Sequence, residues 1–337
     1  MTKRPSPISA TVDFDADGVQ HGFLKLPISN DESAWGAVMI PITVVKNGEG
    51  PTALLTGGNH GDEYEGITAL MKLASTLEAT DVTGRVIIVP MMNTPAVMAG
   101  KRTSGLDGGN LNRSFPGDPD GSVTEKIADY FTRVMVPMSD VVLDLHSGGR
   151  TLDIIPFGAS HVLEDADQQR QALEGAKAFG APYAMMMFEL DAEALFDTAV
   201  ERQGKIFVAT ELGGGGTSTP ESLAITERGV RNFLIHYGLI EGRVEMPAEP
   251  QVYLDMPDAS CYVQSEHSGL LELTLALGEP VERGQVIARV YDMTRSGTPP
   301  VEYRAERSGI LAARRFPAQV NMGDTIAVIA EVVESLA

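Results

Sequence analysis

The chain predicts an α/β fold, a largely parallel sheet flanked by helices, followed by a small β unit. Three observations carry that reading. Short apolar runs at 53–56, 86–89, 141–145 and 206–210 look like buried strands. Between them lie segments whose apolar residues repeat at helical spacing, and this alternation marks a sheet with helices on its faces. After Gly242 no long helical pattern remains, and the sequence begins to repeat itself.

Taken in order, Ser9 to Phe14 alternates weakly as a short strand would, within an otherwise mixed N-terminal stretch. Trp35 to Lys46 reads as a strand, and Asn47-Gly48-Glu49-Gly50-Pro51 as a turn. From Glu63 to Leu77, Ile67, Leu70, Met71, Ala74 and Leu77 fall on one helical face. Further helices are expected at 122–136, 165–179 and 221–237. Then Ser268-Gly269-Leu270-Leu271, Val281, Gly284 and Ile287-Ala288 recur as Ser308-Gly309-Ile310-Leu311, Val320, Gly323 and Ile326-Ala327. Two copies of strand–turn–strand, about 40 residues apart, predict a small two-fold β-sandwich or half-barrel. Pro247 and Pro250 suit a linker, so the expected units are 1–245, carrying the chemistry, and 246–337.

Composition narrows the function classes. The chain has 337 residues, 43% of them hydrophobic, which is enough for a sizeable core. Its formal charge of −20 argues against a nucleic acid or an anionic membrane as partner. Cys261 is the single cysteine, so no intrachain disulfide forms. There is neither an apolar run long enough to span a bilayer nor a signal-like N-terminus, and a cytoplasmic protein is expected. Charge and composition leave a monomer and a homo-oligomer equally open.

The chemistry gathers at strand ends. His60 and Glu63 lie in the glycine-rich stretch Gly57-Gly58-Asn59-His60-Gly61-Asp62-Glu63, between an apolar strand and a helix. Spaced by three at a helix start, they can reach one ion; the alternative is a capping Asn59 or Asp62 beside an incidental histidine. His146 closes another strand in Asp144-Leu145-His146-Ser147. Two imidazoles and one carboxylate are a ligand set for a zinc ion with a fourth position open to water. Asp144, two residues earlier, is either the partner of His146 or a buried hydrogen-bonded acid. Glu211 ends a third strand ahead of four glycines, where a general base can stand, or merely a surface acid before a flexible turn. Arg113, with Asn112 beside it, can take a substrate carboxylate in a fork, and Arg102 can polarise a carbonyl. Arg150 is a weaker candidate of the same kind. Each arginine has a plain structural reading as well.

Taken together, the HGDE loop, the NLNRSFPG segment, the LDLHSG strand end and the TELGGGG strand end resemble, in this order, the succinylglutamate desuccinylase/aspartoacylase family. The resemblance spans about residues 45–240, and the C-terminal repeat is similar to that family's small β domain. It implies a zinc carboxypeptidase-like fold with a mixed sheet, and hydrolysis of a small N-acyl amino acid. His60, Glu63 and His146 would be the zinc ligands and Glu211 the general base. Arg102 would polarise the carbonyl, and Asn112 with Arg113 would hold the substrate carboxylate. The N-terminal stretch and the GGNHGDEYEG loop are most similar to the branch that deacetylates N-acetyl-2,4-diaminobutyrate in ectoine breakdown. Such a substrate carries an extra ammonium, for which Glu189, Asp191 and Glu193 are available acids. Other N-acyl amino acids, or small peptides cleaved by a carboxypeptidase, are the alternatives. The C-terminal repeat also resembles biotinyl and lipoyl domains, but a carrier needs a lysine, and Lys205 is the last in the chain.

Overall fold

Four parallel strands form the centre of the sheet in the computed structural model, which describes residues 4–187 and 193–336. Gly84–Val89, Thr52–Gly57, Val141–His146 and Ile206–Glu211 lie side by side in that order. Nearly every residue in them is buried, as expected of parallel strands covered on both faces. Alternate side chains serve two cores. Leu55, Leu143 and Val208 pack with the helices Tyr64–Thr76, Ala166–Ala178 and Pro220–His236. Their neighbours Leu54, Val142 and Phe207 pack the other way, against Val123–Tyr130 and Phe196–Glu201.

Register aligns the functional ends. Thr56 lies opposite Asp144 and Gly57 opposite Leu145, while Glu211 lies opposite His146. Three strands therefore deliver their last residues to one edge, the place where open α/β sheets bind ligands.

Flanking strands turn the sheet mixed. Ser33–Asn47 runs antiparallel to Gly84–Val89, and Gly18–Asn30 pairs with it along most of its length. The strand expected between Ser9 and Phe14 is reduced to Ser9–Ala10. On the other side Phe157–Ser160 runs antiparallel to Ile206–Glu211, and Tyr183–Met186 follows parallel to it.

The sheet continues past residue 245. Val252–Asp255 pairs with Tyr183–Met186 on one side and with Thr325–Val333 on the other. Within 246–337 the two copies of the repeat interlock. Pro280–Val281 of the first copy pairs with Gly309–Arg315 of the second, and Gln319–Val320 of the second pairs with Gly269–Leu273 of the first. The two β layers enclose Leu271, Val281, Ile287, Leu311, Val320 and Ile326, as the two-fold sandwich reading expected. Leu152–Ile154 hydrogen-bonds onto Gly309–Arg315, and Arg314 meets Asp153 at 2.7 Å, tying this unit to the loop after His146.

Candidate metal centre and active site

His60, Glu63 and His146 meet at the carboxyl edge of the central strands. His60 sits in the turn after Thr52–Gly57, Glu63 is the N-cap of Tyr64–Thr76, and His146 is the last residue of its strand. A Cβ on Gly61 would lie 2.0 Å from the Ala96 backbone, so glycine lets this turn press onto Thr94–Ala99. Neither Asn59 nor Asp62 caps the helix. Asn59 donates to Asp144, and Asp62 accepts from the Arg150 backbone at 2.9 Å.

Both imidazoles present Nδ1 to one carboxylate. His60 Nδ1 is 2.7 Å from Glu63 Oε1, and His146 Nδ1 is 2.9 Å from Oε2. One ligand atom from each of the three lies within 4.8 Å of the others. On its far side His146 places Nε2 2.8 Å from Asp144 Oδ2. Asp144 is fully buried and also accepts from the Thr56 hydroxyl at 2.6 Å and the Asn59 amide at 3.1 Å. An Nε2 proton given to Asp144 turns the Nδ1 lone pair of His146 towards Glu63 and His60, the arrangement metal-binding histidines use. His60 has no such partner; its Nε2 is buried without a hydrogen bond among the described residues.

Electrostatics favour a positive charge in this spot. Burial alone would lower the His146 pKa, but the Asp144 and Glu63 carboxylates outweigh it and hold it well above the usual range. Burial likewise opposes ionisation of Glu63, yet the two imidazoles hold its pKa far below that of an ordinary carboxyl. His60 is shifted down by burial. Two buried acids around two imidazoles suit a divalent cation, and the donor set suits zinc.

Glu211 stands across the sheet register from His146. It is half-buried, and its Oε2 is enclosed without a hydrogen bond among the described residues. Burial first, and the Glu63 carboxylate next, push its pKa up to about 8, while His146 and Arg102 pull the other way. The glycines after it form a close backbone contact. Gly213 C=O accepts from Gly148 N–H at 2.9 Å and Ile154 N–H at 3.1 Å, and a Cβ on Gly214 would fall 2.1 Å from Leu152 O. Gly214→Ala, at φ +145°, is expected to cost about 2 kcal/mol of stability, read as a lower urea midpoint. An unchanged midpoint would mean that the contact yields freely.

A cavity of about 310 Å³ is lined by the seven residues for which the family resemblance implies a ligand, catalytic or substrate-binding role: His60, Glu63, Arg102, Asn112, Arg113, His146 and Glu211. Arg102 Nη1 is 3.5 Å from Glu63 Oε1. Asn112 Oδ1 accepts from Phe196 N–H at 2.9 Å, so its amide NH₂ remains for another acceptor. Arg113 donates to the Asn112 carbonyl at 2.6 Å. Arg150 does not line this cavity. A larger groove of about 590 Å³ beside Phe115 and Arg202 holds none of the seven.

Among the wall residues that escaped the sequence reading are Asp197, His161 and Tyr262. Asp197 opens a helix of only two turns, Phe196–Glu201, and Tyr262 comes from the C-terminal unit, so no local pattern marks either. Of the acids considered for a substrate ammonium, Glu189 and Asp191 lie outside the described residues. Glu193 is exposed and lines the larger groove.

The catalytic-domain model of the succinylglutamate desuccinylase/aspartoacylase family matches residues 49–237. The chain belongs to this family. The N-alpha-acetyl-L-2,4-diaminobutyric acid deacetylase of Halomonas elongata is 88% identical over 334 residues, which cover 99% of this chain and 98% of that one. The product-bound structure of the ectoine utilization protein EutE (DoeB) from Ruegeria pomeroyi is 57% identical. It superposes with a TM-score of 0.95, covering 97% of this chain and 99% of the other. A succinylglutamate desuccinylase/aspartoacylase structure from Rhodobacter sphaeroides is 39% identical with a TM-score of 0.93, over 97% and 100% of the two chains. The family and the mixed α/β architecture expected from the sequence both hold.

Proposed function

We propose that the chain is a zinc-dependent deacetylase that hydrolyses Nα-acetyl-L-2,4-diaminobutyrate to acetate and diaminobutyrate in ectoine breakdown. The observation that carries this is 88% identity, over 99% of this chain, with a relative named as that deacetylase. The site's geometry supports it independently. His60, Glu63 and His146 would hold the metal, with Asp144 orienting His146. Bound there, zinc activates water and polarises the acyl carbonyl as a Lewis acid.

The chain's own residues divide the remaining work. Asn112 and Arg113 hold the α-carboxylate, which fixes the acetyl amide over the cavity floor. Glu211 takes a proton from the attacking water as its oxygen adds to the acetyl carbon. The Arg102 guanidinium stabilises the negative charge that gathers on the carbonyl oxygen. Glu211 then gives its proton to the nitrogen as the C–N bond breaks, so that a neutral amine leaves.

Tyr262 of the C-terminal unit forms part of the wall, and a space of about 310 Å³ suits a single amino-acid derivative. Among the described residues no helix is long and apolar enough to cross a membrane. We place the enzyme in the cytoplasm. The test is acetate release from a panel: Nα-acetyl- and Nγ-acetyl-diaminobutyrate, N-acetylaspartate, N-succinylglutamate (read as succinate) and an acetylated peptide. The Nα isomer is expected to lead by about tenfold or more in kcat/KM. A chelator should abolish turnover, and zinc should restore it. Faster hydrolysis of the peptide or of N-acetylaspartate, or full activity in chelator, would overturn the reading.

A further inference from the structure

One buried carboxylate in the cavity wall has no part in the chemistry above. Asp197 is only 6% exposed and lies in the first turn of Phe196–Glu201. Thr198 donates both its backbone N–H and its hydroxyl to Oδ1, the hydroxyl from 2.9 Å. Oδ2 makes no hydrogen bond among the described residues, and no arginine, lysine or histidine pairs with it there. Oδ2 is thereby left to accept from a cationic donor that enters the cavity. The other acids of the same wall among the described residues are committed: Glu63 and Asp144 to the imidazoles, and Glu211 to proton transfer.

Asp197 also has a fixed place beside the α-carboxylate site. Asn112 Oδ1 holds the Phe196 N–H, one residue before Asp197, so the anchor for a carboxylate and this acid are set side by side. We infer that Asp197 binds the side-chain ammonium of the substrate and is the specificity-determining residue for cationic N-acyl amino acids. The inference rests on the deacetylase reading above. In 2,4-diaminobutyrate a short two-carbon chain separates the ammonium from the α-carbon, so both charges of one small molecule must be met within one small cavity. The same carboxylate repels a substrate whose side chain is itself an acid, such as N-acetylaspartate, which adds rejection to attraction.

The test compares kcat/KM for Nα-acetyl-diaminobutyrate with that for N-acetylnorvaline, whose side chain has a methyl group in place of the ammonium. The ratio does not depend on what fraction of a variant is folded. The zinc-loaded wild type should favour the cationic substrate. In Asp197→Asn the ratio should fall by roughly 30-fold or more, mainly through KM, because one partner of an enclosed charge pair is gone. Asp197→Glu, which keeps the charge, should hold the ratio within about tenfold of wild type. A wild-type ratio that persists in Asp197→Asn would overturn the role of Asp197 and leave the deacetylase reading intact. A wild type that ignores Nα-acetyl-diaminobutyrate would overturn both.

Discussion

Glu211→Gln is expected to lower kcat by roughly a thousandfold, in the range that general acid–base catalysis contributes, with about one zinc still bound per chain. The substitution keeps the shape of the side chain and its capacity to hydrogen-bond to water. It removes only the ability to accept and return a proton. Three features support the proposed proton-transfer role of this residue. It ends a central strand opposite His146, its Oε2 is enclosed without a partner among the described residues, and burial followed by the Glu63 carboxylate raises its pKa to about 8. A cation held by His60, Glu63 and His146 would draw this raised pKa down again, so that the ionised carboxylate can take a proton from water and release it to an amine within one turnover. Single-turnover acetate release, with metal content measured on the same sample, checks the claim. Activity above a tenth of wild type would remove Glu211 from the base role. Loss of zinc along with activity would make it a ligand instead.

How much of the fold and the site is legible in the sequence depends on how local each signal is. His60, Glu63, His146 and Glu211 each follow an apolar run, so the strand ends that carry them are legible residue by residue. Their convergence is not, because it depends on Glu211 pairing with His146 and Gly57 with Leu145 across the sheet. The strand Gly18–Asn30 is not legible. Pro27 inside it argues against a strand by the usual rule, and only the pairing with Ser33–Asn47 overrides that. Phe157–Ser160 and Tyr183–Met186 have four residues each, too few for any period to show. The repeat after residue 250 was plain in the sequence, but the exchange of short strands between its copies is a tertiary fact. Asp197 is hidden for the same reason: what singles it out is the cavity around it.

His146→Ala should abolish tight zinc binding and cut turnover by roughly a thousandfold or more, since the Lewis acid contributes several kcal/mol. The finer expectation concerns Asp144. In the structure it accepts from His146 Nε2, the Thr56 hydroxyl and the Asn59 amide, and its burial gives it no water as a substitute partner. Asparagine at 144 can turn only its carbonyl or its NH₂ towards His146. With the NH₂ facing Nε2, the ring proton moves to Nδ1 and the lone pair aimed at Glu63 is lost. With the carbonyl facing Nε2 and the Asn59 amide, the NH₂ meets the Thr56 hydroxyl, which can no longer donate to residue 144, and a neutral carbonyl holds the imidazole less firmly than a carboxylate. Either way the ligand is less well held, and Asp144→Asn should weaken zinc binding by about 10- to 100-fold. Competition with a chromogenic chelator reads this directly, and excess zinc should restore turnover in Asp144→Asn but not in His146→Ala. Wild-type affinity in Asp144→Asn would reduce Asp144 to a buried hydrogen-bonded acid. Wild-type affinity in His146→Ala would remove His146 from the ligand set.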